Sequence, residues 1–142
     1  MDFKYKRPML DIGIAEICPP VECISTEMQA YRFTYETIED KRNFEPVFAK
    51  NPRRFNDKSD AEKCSAFGIS LYQSEAQAIT KYIILKSIVQ NIGKTIGTHL
   101  AKGIIYKHYG VITPIDEEGH FDLHESQECN LHNDFTVIQE LV

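Results

Sequence analysis

Ligand-type and proton-transfer residues crowd the C-terminal stretch GHFDLHESQECNLHND, residues 119–134, which holds three of the chain's five histidines together with Cys129. If HFDLHE is a strand, a period of two sends His120, Asp122 and His124 to one face and Phe121 and Leu123 to the other. Two imidazoles and a carboxylate on one face suit zinc or iron, with Cys129 and His132 free to join from the loop. They equally suit proton transfer near neutral pH. The plainer alternative is the wet face of a half-buried strand. No second ligand cluster is evident, so no metal is assigned and His120 is kept as an acid–base candidate. Glu125 and Glu128 read first as carboxylates that solvate the following loop.

Arg32 is the second residue of interest, because it sits mid-strand among aromatics. It is either a salt-bridged surface residue or a rigid, planar fork aimed into a cleft. His99 reads as a structural histidine. Gly93-Lys94-Thr95 has the ending of a phosphate-binding loop, but Ile88 stands where that motif needs glycine and the segment closes a helix rather than opening one. It is rejected. No G-x-G-x-x-G, HExxH, EF-hand or G-x-S-x-G pattern occurs.

These residues need a scaffold. TEMQAYRFTYETI, residues 26–38, reads as a strand with Ala30, Arg32 and Thr34 on one face and Tyr31, Phe33 and Tyr35 on the other. CSAFGISLY, residues 64–72, reads as a central strand, apolar on both faces. QSEAQAITKYIILKSIVQNIG follows as the one good helix. Ser74 and Gln77 make a capping box, Ile79, Tyr82, Ile83, Lys86 and Val89 recur at helical spacing, and Asn91 and Gly93 stop it. TIGTHLAKGIIY, with a bend at Gly97 or Gly103, HFDLHE and FTVIQELV complete the strands, with a short extended piece and turn in HYGVITPIDEEG. The expected fold is α+β: a small split or strongly bent sheet with one main helix. Residues 1–142 make a single domain, with an irregular segment at 1–26 and a long polar loop at 41–63 that holds at most a helical turn.

The bulk numbers narrow the function classes. A chain of 142 residues with 42% hydrophobic and 26% charged residues supports one globular core. A formal net charge of −5 argues against an electrostatic nucleic-acid binder. Asp11 and Glu16 break any signal-peptide core, and Lys86 interrupts the longest apolar run, so the expectation is a cytoplasmic protein without a membrane partner. Four cysteines are too few for a disulfide framework and read as reduced thiols.

The order YRF, then RRFND, a spacer, and SAFGISLYQSEAQAI resembles the RES-domain toxins and, more loosely, the ADP-ribosyltransferase-like fold. The resemblance spans roughly residues 28–85, and the C-terminal part is similar to uncharacterised bacterial proteins. It implies a split-sheet cleft that takes NAD as substrate. Arg32 and Arg54 would hold the pyrophosphate, and Tyr72 or Tyr31 would stack on the nicotinamide. A carboxylate would stabilise the oxocarbenium-like ribose. Two departures stand out: Arg53 replaces the family's turn glycine, and Lys81 follows Ala78-Ile79-Thr80 where a helix glutamate is expected. Glu75, earlier on the helix, and Glu125 or Glu128, from a C-terminal loop, are the possible substitutes, with His120 as a further catalytic candidate.

Two functional classes follow. One is a NAD glycohydrolase or ADP-ribosyltransferase of bacterial type, acting as a toxin or defence effector with an antitoxin as protein partner. The other is a non-catalytic α+β module that binds a protein or small ligand. A metal-dependent hydrolase built on the C-terminal histidines is a third.

Overall fold

A computed structural model describes all residues, Met1–Val142. Its strands are β1 (Met28–Thr34), β2 (Ile69–Tyr72), β3 (His99–Ile105), β4 (Gly110–Ile112), β5 (His120–Glu125) and β6 (Phe135–Glu140). They form one open sheet in the order β4-β5-β2-β1-β3-β6, every pair antiparallel. The helices are α1 (Lys6–Asp11), α2 (Val47–Lys50), α3 (Asp60–Ala66), α4 (Glu75–Ile88) and α5 (Ile92–Thr95). The class is α+β, as the strand and helix patterns indicate.

Side-chain alternation builds two different faces on this sheet. One face carries Ala30, Ile69, Leu71, Ala101, Phe121 and Leu123, packed with Phe44, Leu131 and Phe135 as the main core. On the other face Tyr31, Tyr72 and Leu100 pack under Ala78 of α4, with Phe33 alongside. Tyr82 of α4 meets the Phe33 ring edge-on at 5.3 Å, and its hydroxyl donates to the Gly97 carbonyl at 2.8 Å. A third cluster unites Met9, Ile14 and Cys18 with Phe48, Phe55, Cys64 and Phe67. It is a separate small core that fastens the N-terminal segment to α2 and α3.

The sheet is opened at its centre. β1 pairs with β3 over the whole of Met28–Thr34, but with β2 only at Tyr31↔Tyr72. Beyond that pair the β1–β2 ladder stops, and Arg32 stands at the point of parting.

The local structure departs from the sequence expectations in several places: the segment 1–26, expected to be irregular, holds α1, and α4 ends at Ile88, before Asn91 and Gly93, which instead open α5. The polar segment 41–63 is not a bare loop: it makes 3-10 turns at Lys41–Phe44 and Pro52–Phe55, the single turn α2, and the start of α3. The signal for α3 is Ser59-x-x-Glu62, a capping box in which Ser59 Oγ accepts from the Glu62 amide at 3.2 Å and Glu62 Oε1 from the Ser59 amide at 3.4 Å. That helix runs through Cys64 and Ser65, so the expected strand 64–72 shrinks to Ile69–Tyr72. Helix α4 starts at Ser74 as expected, yet it buries Ala78 and Tyr82 and leaves Ile83, Ile84 and Ile88 exposed. Finally, Cys18 and Cys64 are joined in a disulfide, and only Cys23 and Cys129 are free, which corrects the reading of four thiols. The two cysteines are distant in sequence, and only the packing of the N-terminal segment on α3 brings them together.

Candidate functional site

Between the part of the sheet under α4 and the part beside α3 lies a cleft of about 390 Å³. Its floor is Ser70 of β2 and His120 and Asp122 of β5; its wall is Pro46, Val47, Arg54, Phe55 and the α3 residues Glu62, Ser65 and Ala66, with Arg32 at the base. Register explains the floor. Tyr72 stands opposite His120 and Ser70 opposite Asp122, so four polar side chains of two neighbouring strands share one face while Ile69, Leu71, Phe121 and Leu123 turn to the core.

Arg32 is held without an acidic partner. Its Nε donates to the Asn43 carbonyl at 2.6 Å and its Nη1 to the Ser70 carbonyl at 2.8 Å. Asn43 is itself fixed, accepting from the Tyr35 amide at 2.7 Å and donating to the Thr37 and Ile38 carbonyls. Burial pulls the guanidinium down to about 10, while the more distant carboxylates of Glu125 and Asp122 act to raise it. It therefore remains a cation at neutral pH, and the rest of its N–H fork has no partner in the chain. A partly desolvated, unpaired cation at the base of a cleft is suited to receive an anion. Exposed Arg54 adds a second positive charge at the wall.

His120 bridges the acidic and hydroxyl groups. Ser70 Oγ lies 2.7 Å from Nε2, Asp122 Oδ1 lies 3.5 Å from Nε2, and Asp116 Oδ2 lies 3.7 Å from Nδ1. A proton on Nδ1, facing Asp116, leaves the Nε2 lone pair on the Ser70 hydroxyl, which is the arrangement of a general base. Asp116 Oδ1 also accepts from the His120 and Glu118 amides at 2.9 Å each, so the turn that carries the carboxylate places the imidazole too. Gly119 makes this turn at φ +81°, and a side chain there would run into Gln77 of α4. Asp122 is oriented by Ser65 Oγ, which donates to Oδ2 at 3.0 Å. Gly68 leaves the space: a Cβ there would sit 2.7 Å from Asp122 Cβ.

The remaining sequence candidates are distributed unevenly. Tyr72 packs against His120 with ring centroids 5.4 Å apart and borders a smaller pocket of about 200 Å³ with Lys81, Asp116 and Glu118. Burial first, then the Glu118, Asp116 and Asp122 carboxylates, push its phenol up to about 12, so it stays neutral. Tyr31 is buried under α4, away from the cleft lining. Glu75 is exposed in the first turn of α4 and does not line the cleft. Glu125 does not solvate a loop: it is buried on the core side of β5 and paired with Lys4 at 2.6 Å, again outside the cleft. Glu128 is exposed and also outside the cleft, so none of the substitutes for the missing helix glutamate lines it; Asp122 on the floor and Glu62 on the wall are the carboxylates that do. His124 shares the strand face of His120 and Asp122, but it is buried toward Cys18 and Cys64, where burial lowers its pKa. The histidine–aspartate–histidine set therefore does not converge on one ion.

Sequence reasoning missed Ser70, Ser65 and Asp116 as site residues. A signal existed for Ser70, a polar residue inside the apolar run of β2 that shares the face of Tyr72. Ser65 and Asp116 carried none, because their roles depend on where α3 and the turn at Gly119 dock. No protein-family model, curated protein or solved structure matches the chain.

Proposed function

We propose that the cleft binds NAD or a closely related pyrophosphate-bearing nucleotide, and that the protein cleaves the nicotinamide–ribosyl bond. The observation that carries this reading is Arg32: a half-buried guanidinium with no acidic partner and free N–H groups lining the cleft, with Arg54 beside it in the lining. Asp122 would stabilise positive charge developing on the ribose. The C1′–nitrogen bond breaks with its electron pair leaving on nicotinamide. A water oxygen, or an acceptor in ADP-ribosyl transfer, adds to C1′, and His120 takes its proton, assisted by Ser70.

The second reading, a binding module without catalysis, is favoured by the absence of Glu75 and Glu125 from the cleft. Ile83, Ile84 and Ile88 on α4 offer an apolar surface to a protein partner such as an antitoxin. No helix is long and apolar enough to cross a membrane. A cytoplasmic, bacterial setting is part of the proposal, and there Cys18 and Cys64 would stand as dithiols rather than as the disulfide.

The test is incubation of the purified protein with NAD, following nicotinamide release and the melting temperature. Release that is lost in Asp122→Asn and His120→Ala supports the enzyme. A melting-temperature rise without release supports the binding module. Neither effect, with NAD, ADP-ribose or pyrophosphate, overturns both nucleotide readings.

A further inference from the structure

Away from the cleft, three ligand-type side chains meet in the interior. Cys18 follows α1, Cys64 lies in the last turn of α3, and His124 lies on β5; one ligand atom from each falls within 4.8 Å of the other two. All are buried, at 4%, 3% and 3% exposure. The His124 Nε2 atom is enclosed and has no hydrogen-bond partner. Interiors rarely leave an imidazole nitrogen unsatisfied, and a buried polar atom without a partner calls for an explanation such as an ion.

We propose that Cys18, Cys64 and His124 form a redox-gated site for one thiophilic cation, with Zn²⁺ as the expected ion. Two thiolates and one imidazole are a zinc donor set, and the fourth position is left to water. The backbone permits both states. The Cα atoms of the cysteines are 5.5 Å apart. Rotating the two sulfurs about their Cα–Cβ bonds opens them toward the roughly 3.8 Å edge of a tetrahedron whose Zn–S bonds are about 2.3 Å.

The chemistry balances. A dithiol or phosphine reductant supplies two electrons to the disulfide, giving two thiols. Binding Zn²⁺ then releases their two protons. Oxidation by a small-molecule disulfide re-forms the Cys18–Cys64 bond, reduces the oxidant to two thiols and expels the ion.

The site also has a route to the cleft. Cys64 adjoins Ser65, which orients Asp122, and His124 lies two residues from Asp122 on the same strand face. Zinc at this position would fix α3 against β5 through His124, whereas the disulfide ties α3 only to the segment after α1 and the metal-free dithiol would make neither link. The site itself is independent of what the cleft binds.

The experiment compares the disulfide form with anaerobically reduced protein, both purified without a metal-affinity tag, in Zn²⁺ titrations read by native mass spectrometry. Co²⁺ serves as a spectroscopic probe of thiolate ligation. The expected result is one Zn²⁺ per reduced chain, a Co²⁺ spectrum with sulfur charge-transfer bands, and no binding to the disulfide form. Cys18→Ser and His124→Ala should each lose at least the roughly tenfold affinity that even changes outside the ligand shell cost. The Cys23→Ser/Cys129→Ser variant should bind as wild type does. Binding that survives in the disulfide form, a reduced protein that takes up no Zn²⁺, or a Co²⁺ spectrum without sulfur bands would each overturn the proposal. The oxidised–reduced comparison on wild-type protein decides it even if a single variant fails to fold.

Discussion

Replacing Arg32 with methionine separates a residue kept for binding from one kept for stability. In the folded chain the guanidinium satisfies two carbonyls, Asn43 at 2.6 Å and Ser70 at 2.8 Å, and its positive charge is half-buried without an ion pair. Losing hydrogen bonds to a charged group costs about 1.5–3 kcal/mol each, provided the acceptors stay dry. They need not stay dry here, since the residue opens on a cleft of about 390 Å³ that admits water. Removing a half-buried, unpaired cation also recovers part of its desolvation cost, in the opposite direction. The two effects largely offset, so Arg32→Met should shift unfolding stability by less than about 2 kcal/mol in a urea titration. Ligand binding should respond differently. Two charge-assisted hydrogen bonds to a phosphate, about 1.5–3 kcal/mol each, amount to about 3–6 kcal/mol. At about 1.4 kcal/mol per tenfold, that is a loss of a hundredfold or more in affinity for NAD or pyrophosphate by calorimetry. Arg32→Lys should fall between, because an ammonium keeps the charge but not the fork. A folded Arg32→Met protein with undiminished affinity would refute the reasoning. So would a loss of stability above about 4 kcal/mol with no anion bound by the wild type, which would mark the residue as purely structural.

Three further outcomes are expected. Lys4→Met should destabilise the fold by about 3–5 kcal/mol in a denaturant titration, because it strands the buried Glu125 carboxylate now paired at 2.6 Å; Glu125→Gln in the same background should recover part of the loss, and a cost below about 1 kcal/mol would reduce the pair to an ordinary surface contact. Gly68→Ala should push Asp122 out of position, since the new Cβ would stand 2.7 Å from the Asp122 Cβ; an overpacking cost of about 1–3 kcal/mol should appear together with weakened nicotinamide release, and a variant as stable and active as wild type would contradict the packing. The phenols of Tyr5 and Tyr72 are held up to about 12, chiefly by burial, against an ordinary value near 10. The unfolded chain therefore releases these protons first: their stabilising contribution is complete below pH 10 and is lost as pH rises toward 12. Parallel phenolate absorbance and stability measurements would show this, and tyrosines titrating freely near 10 in the folded protein would exclude it.

The elements read best from sequence were those whose signals are local. β5 begins and ends at His120 and Glu125, where the alternation of HFDLHE places it, and α4 starts at the Ser74 cap. The buried face of α4 is not legible in the sequence because its apolar residues surround the helix: Ile83, Ile84 and Ile88 are as apolar as the core yet remain outside. Cys64 looked like strand because the run CSAFGISLY is apolar throughout. Helix α3 claims its first half because the Ser59–Glu62 capping box starts a turn that carries on through it. Of the site, Arg32, Arg54 and His120 were legible as residue types suited to anions and protons, and the cleft does bring them together. Glu75 and Glu125 carry suitable chemistry, but neither lines the cleft.

By itself the sequence determined that this is an α+β chain, which side chains share a strand face, and that Arg32 stands among aromatics rather than acids. These follow from periodicity and capping, which act over a few residues. Only the tertiary structure decided that β1 and β2 part after one ladder pair, leaving Arg32 to satisfy the Ser70 carbonyl. It alone set Ser70 opposite Asp122 and Tyr72 opposite His120, and brought Cys18 to Cys64 beside His124. Such pairings depend on strand register and on helix docking, and those are fixed by burying the whole core at once rather than by any local stretch of chain.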